Sequence, residues 1–283
     1  MWATPWLLMG RVKSVAGSVL VGVAALAMAL TEIQMIIFLP LLLWRWRDRR
    51  VWPIAAGLIV GFAAQLVATI AAPRSAPPDP VVFLSVVEGY LAQPVLGAVF
   101  GWSAASGKVL SVTGMIAPVL ILATAIVLTV YIVRKGSREL RVLSMAFMGG
   151  SAVLWVAAVT INGWAGLHYA HFTMEDWLDF TFLRYAYIGS LLLLALLPIT
   201  ASVLRGRQVR MLPWAIVLGV TAMLLVSFRI DSTRRDHGPI WSDAVETARS
   251  ECTTPGTTAL DIPVAPRGWS ATVPCAVLEV AVP

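Results

Sequence analysis

The chain has 283 residues, of which 59% are hydrophobic and only 13% charged, with a net charge of +6. A soluble domain carries about 25% charged residues, so the composition excludes an ordinary water-soluble fold and predicts an all-α polytopic membrane protein. The positive balance does not point to nucleic acid, because eleven of the 21 Lys and Arg lie in three short clusters between apolar runs, "WRWRDRR", "RKGSRELR" and "RGRQVR". Such loops mark the cytoplasmic side of a bilayer and touch anionic headgroups.

In chain order, the opening "MWATPWLLMGRVKS" lacks the basic n-region and small-residue cleavage site of a signal peptide. Residues 15–44 are one apolar stretch interrupted at Thr31 and Glu32. This reads either as one long tilted helix or as a short hairpin with Glu32 at its outer turn, and Arg11 and Lys13 favour the hairpin. Clear spans follow at 52–72, 112–133, 142–162 and 184–203, near the ~20 apolar residues that cross a bilayer. A shorter one covers 211–228, for about 6–7 transmembrane helices within a domain of residues 1–228. With the basic clusters at 45–50, 134–141 and 205–210 inside, segments 73–110, 163–183 and 229–283 face outside.

The segment 81–101, "VVFLSVVEGYLAQPVLGAVFG", is apolar enough to span, but a crossing there would place "RKGSRELR" outside. It also holds Glu88, Pro94 and three glycines. It reads as a re-entrant or interfacial segment, which requires cover from protein or a watery cavity. Trp44, Trp46, Trp52, Trp164, Trp177 and Trp214 fall near the expected interfaces, where indole rings collect.

After Phe228 the composition turns polar, and residues 229–283 read as a small external α+β tail. A helix is expected in "GPIWSDAVETARSEC", with Trp241, Val245 and Ala248 on one face, and strands in "TALDIPVA" and "TVPCAVLEV" joined through "PRGW". Cys252 and Cys275, the two cysteines of the chain, both fall here. On an oxidising outer side they are expected to form a disulfide worth roughly 3 kcal/mol, the alternative being two unpaired small hydrophobes. Two Cys and the distant His237 do not make a metal-ligand set.

The densest polar stretch is "HYAHFTMEDWLDFTFLRY", residues 168–185. On one continuous helix His168, His171, Glu175 and Asp179 fall within an arc of about 80°, where imidazoles and carboxylates could share a divalent ion. Against this, "TMED" has the form of a capping box, with Thr173 as N-cap and Glu175 and Asp176 in the first turn. A helix starting there leaves both histidines outside it. Arg184 opens a span from the outer side, against the charge trend. Its planar fork suits a lipid phosphate, or it pairs with Asp179, or it snorkels to headgroups. Glu32 and Glu88 are acids in apolar runs and functional hypotheses by default, although both can sit at the outer interface. Gln65, inside a span, suits a hydrogen bond to a neighbouring helix. The glycines look scattered. No Walker A, GxGxxG, GxSxG or metal-ligand spacing occurs, so no cofactor is expected beyond that conceivable divalent ion, and no metal site is assigned.

The run "ALAMALTEIQMIIFLPLLLWRWRDRR" resembles a helical pair of the GT-C superfamily of polyprenyl-phosphate-sugar-dependent membrane glycosyltransferases, and "RYAYIGSLLLLALLPI" is similar to one of its late spans, which often opens with Arg-Tyr at the outer face. The tail, with "GPIWSDAVETARSEC" and "PRGWSATVPC", looks like the external end of actinobacterial membrane proteins of this type. The resemblance covers the middle and C-terminal part of such proteins. It implies lipid-phosphate binding at Arg184 but transfers no catalytic acid, because the acidic first external loop of the family has no counterpart here. The implied protein is a plasma-membrane, multi-pass, glycosyltransferase-like chain for lipid-linked sugar transfer in envelope assembly. Alone it is expected to be inactive or partial, with a partner subunit supplying the loop. The rival expectation is a non-enzymatic membrane scaffold or transport accessory.

Overall fold

The structure is a computed structural model that describes residues 4–10, 12, 14–71, 79–163, 165–204, 207–227, 239–254, 256–264 and 269–280. Arg11, Lys13, Trp164, His237, most of the "PRSAPPDP" connector and most of the "PRGW" turn lie outside the described residues. The chain divides into Met1–Ser227 and Phe228–Pro283.

In the first unit, α1 spans Thr4–Met9 and α2 spans Val15–Thr31. Ser14 caps α2 by accepting the Gly17 N–H, and the helix ends where Glu32 turns extended at φ −143°. A 3-10 stretch, Ile33–Phe38, and α3, Pro40–Trp44, then lead the chain back. The return is visible in its contacts, since the Arg45 guanidinium donates to the carbonyls of Met9 and Gly10 beside the start of α2. Region 15–44 is therefore a hairpin with Glu32 at its turn.

α4, Trp52–Ala71, runs parallel to α2. The Ser18 hydroxyl donates to the Arg50 carbonyl at one end of the pair, and the Gln65 amide donates to the Leu30 carbonyl at the other. The close fit depends on Gly22, Gly57 and Gly61. A Cβ on Gly22 would stand 2.6 Å from the Pro53 carbonyl, and one on Gly61 would stand 2.5 Å from the Ala29 Cβ. This is the small-residue packing that lets membrane helices approach backbone to backbone. The glycines that looked scattered thus include a Gly57-x-x-x-Gly61 motif.

α5, Phe83–Tyr90, continues through a π-helical stretch, Leu91–Val95. The path enters and leaves at one end of the bundle. Asp79 N–H donates to Gly163, Ser85 Oγ accepts the Ala170 N–H, and Ser103 Oγ accepts the Phe182 N–H. Between these, Ala98 and Val99 share a cavity wall with Leu193, Leu194 and Leu197 at mid-height. α6, Ser103–Thr113, follows and was not expected. It stops at Gly114, whose φ of +55° suits glycine, so the next span begins at Ile116 and not at 112.

α7, Ile116–Lys135, ends on Arg134 and Lys135, cations that favour a helix C-terminus. α8, Arg138–Ile161, opens on Ser137, whose side chain accepts the Leu140 N–H. A short α9, Met174–Leu178, precedes α10, Arg184–Leu194, and α11, Leu196–Val203. The break between the last two has a local cause: Pro198 has no N–H to give to the Leu194 carbonyl. α12, Arg207–Ser227, packs on α11.

Among the described residues, four helices of this unit are long and apolar enough to cross a membrane: Arg49–Ala71, Ile116–Lys135, Arg138–Ile161 and Arg184–Val203. Only 22% of the apolar window of the first and 17% of the second is buried within the protein. The rest is an apolar surface far larger than soluble monomers tolerate, and it suits hydrocarbon. Trp155, Phe147 and Phe38 fill the interior.

In the second unit, α13 spans Trp241–Cys252, β1 spans Ala259–Val264 and β2 spans Trp269–Pro274, the strands pairing antiparallel with Ala259 opposite Pro274. α14, Cys275–Val280, replaces the second half of the expected strand "TVPCAVLEV". A helix lets Leu278 join Ala248 and Ile262 in the core of this unit. Trp241 stays 54% exposed, so the expected apolar face of α13 reduces to Ala244, Val245 and Ala248. Cys252 and Cys275 are disulfide-bonded, with Cα atoms 5.6 Å apart.

Candidate functional site

The polar residues singled out from the sequence do not fall together as the sequence order suggests. Glu32 and Arg184 do meet, in a cavity of about 340 Å³ at the hairpin-turn end of the bundle. Five parts of the chain build it. α2 ends beside it at Thr31, whose hydroxyl donates to the Met28 carbonyl at 2.8 Å. The hairpin turn supplies Glu32 and Gln34, α4 supplies Gln65, and the end of α8 supplies Asn162. The start of α10 supplies Arg184 and Tyr185.

The cavity therefore holds one acid, one permanent cation, three carboxamides, a hydroxyl and a phenol, walled by Ile33 and Ile188. The Arg184 guanidinium lies over the Tyr185 ring, 5.1 Å from its centroid, and donates to the phenol oxygen at 3.3 Å. Such stacking leaves the remaining guanidinium N–H groups free to fork onto an oxyanion. The Glu32 carboxylate lines the same cavity. Arg184 is also the first residue of α10, and Leu183 before it provides no side-chain cap. The positive end of the helix thus adds to the field of the arginine.

Gln93, on the π-helical stretch, fixes this helix start, and nothing in the sequence reading singled it out. It is 1% exposed. Its amide donates to the Tyr169 hydroxyl at 3.0 Å and to the Thr181 carbonyl at 2.9 Å, and its oxygen accepts the Leu183 N–H at 2.9 Å. Next to it, the Ser190 hydroxyl donates to the Pro94 carbonyl at 2.8 Å. π-Helical turns inside α-helices recur at functional sites. Burial pushes the Tyr169 phenol well above its ordinary pKa, so it stays a neutral hydrogen-bonding partner. The available signal was an amide beside proline within an apolar run.

The other expected residues lie elsewhere. Thr173 and Asp176 form the capping box: the Asp176 carboxylate accepts the Thr173 N–H at 2.7 Å, and Thr173 Oγ1 accepts the Asp176 N–H at 3.4 Å. α9 starts after both histidines, so the helical face shared by His168, His171, Glu175 and Asp179 is not formed. His168 and His171 stack at 6.2 Å, and His168 Nε2 lies 3.4 Å from the Asp79 carboxylate. Among the described residues no three His, Cys, Asp or Glu side chains gather as a metal site would require. Glu88 is half-buried on α5. The Cys252–Cys275 pair belongs to the second unit.

Comparison with protein-family models, with curated proteins and with solved structures finds no match for this chain.

Proposed function

We propose that the chain is a multi-pass plasma-membrane protein of GT-C-like build that binds a polyprenyl-phosphate-linked sugar in the Glu32–Arg184 cavity and serves lipid-linked sugar transfer in cell-envelope assembly. The observation that carries this reading is the convergence of Glu32 and Arg184, far apart in sequence, on one polar cavity beside spanning-length helices. Arg184 and the α10 N-terminus hold the phosphate, the carboxamides of Gln34, Gln65 and Asn162 face the hydroxyl-rich sugar, and the isoprenyl chain lies along the apolar helix surface. No side chain of this chain is assigned as the catalytic acid, and transfer requires a partner subunit that supplies an acidic loop.

The topology follows from the charge rule. Arg138 lies 4.3 Å over the Trp44 ring, which puts two of the three basic loops at one end of the bundle. That end is cytoplasmic, the Glu32 cavity is external, and segment 81–101 is re-entrant from outside. The hairpin limbs and α12 complete a seven-span reading, which leaves the disulfide-bonded tail outside, in an oxidising compartment.

The test is binding of polyprenyl phosphate to the purified protein. Loss of one charge-assisted contact costs about 2 kcal/mol, so Arg184→Ala is expected to weaken binding roughly 30-fold, while Arg184→Lys keeps part of it. Equal binding by wild type and Arg184→Ala would remove the phosphate role and leave a scaffold.

A further inference from the structure

A second cavity, of about 560 Å³, lies in the same hairpin toward its basic end. One wall is the return limb, with Leu42 and Leu43, and the other is the first turns of α4, with Ala55 and Ala56. The alanines leave a cleft where larger side chains would close it. Its volume falls in the ~300–1,000 Å³ range of ligand-sized sites, and its lining is almost wholly apolar.

Trp46 and Trp52 stand at its mouth, 62% and 61% exposed, joined by a hydrogen bond from the Trp52 indole N–H to the Trp46 carbonyl at 3.0 Å. Exposed indoles of this kind sit at the headgroup level of a bilayer. Around them the segment 45–50 carries four arginines and one acid. That acid, Asp48, is already engaged by the Arg45 guanidinium and the Arg50 N–H. Arg47, its guanidinium 5.2 Å over Trp46, and Arg49 have no carboxylate partner among the described residues. The site thus pairs a hydrocarbon-lined slot with an uncompensated cationic rim at headgroup depth. The complement in a leaflet is one molecule that is apolar below and anionic above.

We propose that this cleft is a binding site for an anionic phospholipid, one acyl chain lying between the return limb and α4 and the phosphate resting on Arg47 and Arg49. The inference rests on the membrane reading of the bundle and is independent of the phosphate role given to Arg184. A zwitterionic lipid fills the slot but gains nothing from the rim, so the site discriminates by charge.

The experiment uses the full chain in detergent, titrated with phosphatidylglycerol or phosphatidylcholine and read by native mass spectrometry. Wild type is expected to retain phosphatidylglycerol in preference. R47Q/R49Q is expected to lose affinity for it by about fivefold per arginine, with phosphatidylcholine binding unchanged. Ala56→Phe, which fills the slot, is expected to retain one fewer phosphatidylglycerol. Equal retention of the two lipids by wild type, or unchanged phosphatidylglycerol binding in R47Q/R49Q, overturns the site. So does an undiminished lipid count in a folded Ala56→Phe protein. Polyprenyl phosphate binding by R47Q/R49Q stays at the wild-type level, which separates this failure from failure of the Arg184 cavity.

Discussion

Arg184 owes its setting to a residue about ninety positions earlier in the chain. Gln93 ties Thr181 and Leu183 to Tyr169, and α10 starts from that anchor. Gln93→Ala leaves a carbonyl, an N–H and a hydroxyl without this partner in a buried place. At roughly 1–3 kcal/mol for an unsatisfied buried group, it is expected to destabilise the helical unit by about 3 kcal/mol, measured by thermal or denaturant unfolding in detergent. Under the function proposed above, the same variant is also expected to weaken polyprenyl phosphate binding without touching the ligand. A different residue-scale effect concerns Asp176. Its carboxyl is held below the ordinary 3.8 first by the hydrogen bond from the Thr173 N–H and then by that from the Thr173 hydroxyl. A folded pKa below the unfolded one contributes stability that is complete above about 3.8 and disappears as pH falls through the lower folded value. Asp176→Asn is therefore expected to flatten the acid limb of the stability profile below pH 4, read from melting temperatures at pH 3 and pH 5.

At the scale of elements, the α2–α4 contact holds the hairpin in place and thereby positions Glu32. Gly61 faces Ala29 with no room for a side chain, whereas nothing lies within 4 Å of a Cβ built on Gly219 of α12. Gly61→Leu is expected to lower stability by about 2–3 kcal/mol through overpacking. Gly219→Leu is expected to be near neutral. The pair, compared by thermal unfolding, separates the demands of helix packing from a general intolerance to leucine. The path through α5 is the other element of consequence, because its buried π-helical stretch sets the Gln93 amide against the start of α10.

At the scale of the molecule, two units of different physics share one chain. In the first, two helices of spanning length leave most of their apolar surface uncovered, a surface that suits a bilayer, while the second has, among the described residues, a core of three buried side chains, Ala248, Ile262 and Leu278, and one disulfide. A core that small needs a covalent staple. Cys252→Ser/Cys275→Ser is expected to cost the tail roughly 3 kcal/mol. Amide exchange should then rise across 241–280, while α4, α7 and α8 stay protected. Faster exchange throughout the helices would mean that the two units fold as one.

Much of this was legible from residue order, because it depends on local patterns. Apolar length marked four helices of spanning length, "TMED" encoded its capping box through groups three residues apart, and two cysteines in a polar tail encoded their own bond. The failures were local too: a short helix after Trp102 that ends at a positive-φ glycine, and a strand that becomes a helix after Pro274 to bury Leu278. What residue order left open is non-local. Whether 15–44 is one helix or two limbs turns on distant contacts of the return limb, Arg45 with Met9 and Gly10 and Phe38 against Gly150. The meeting of Glu32 with Arg184, and the grip of Gln93 on the start of α10, turn on how separate helices pack. Helix formation answers to neighbours within a turn, whereas a site between helices exists only once distant surfaces close on one another.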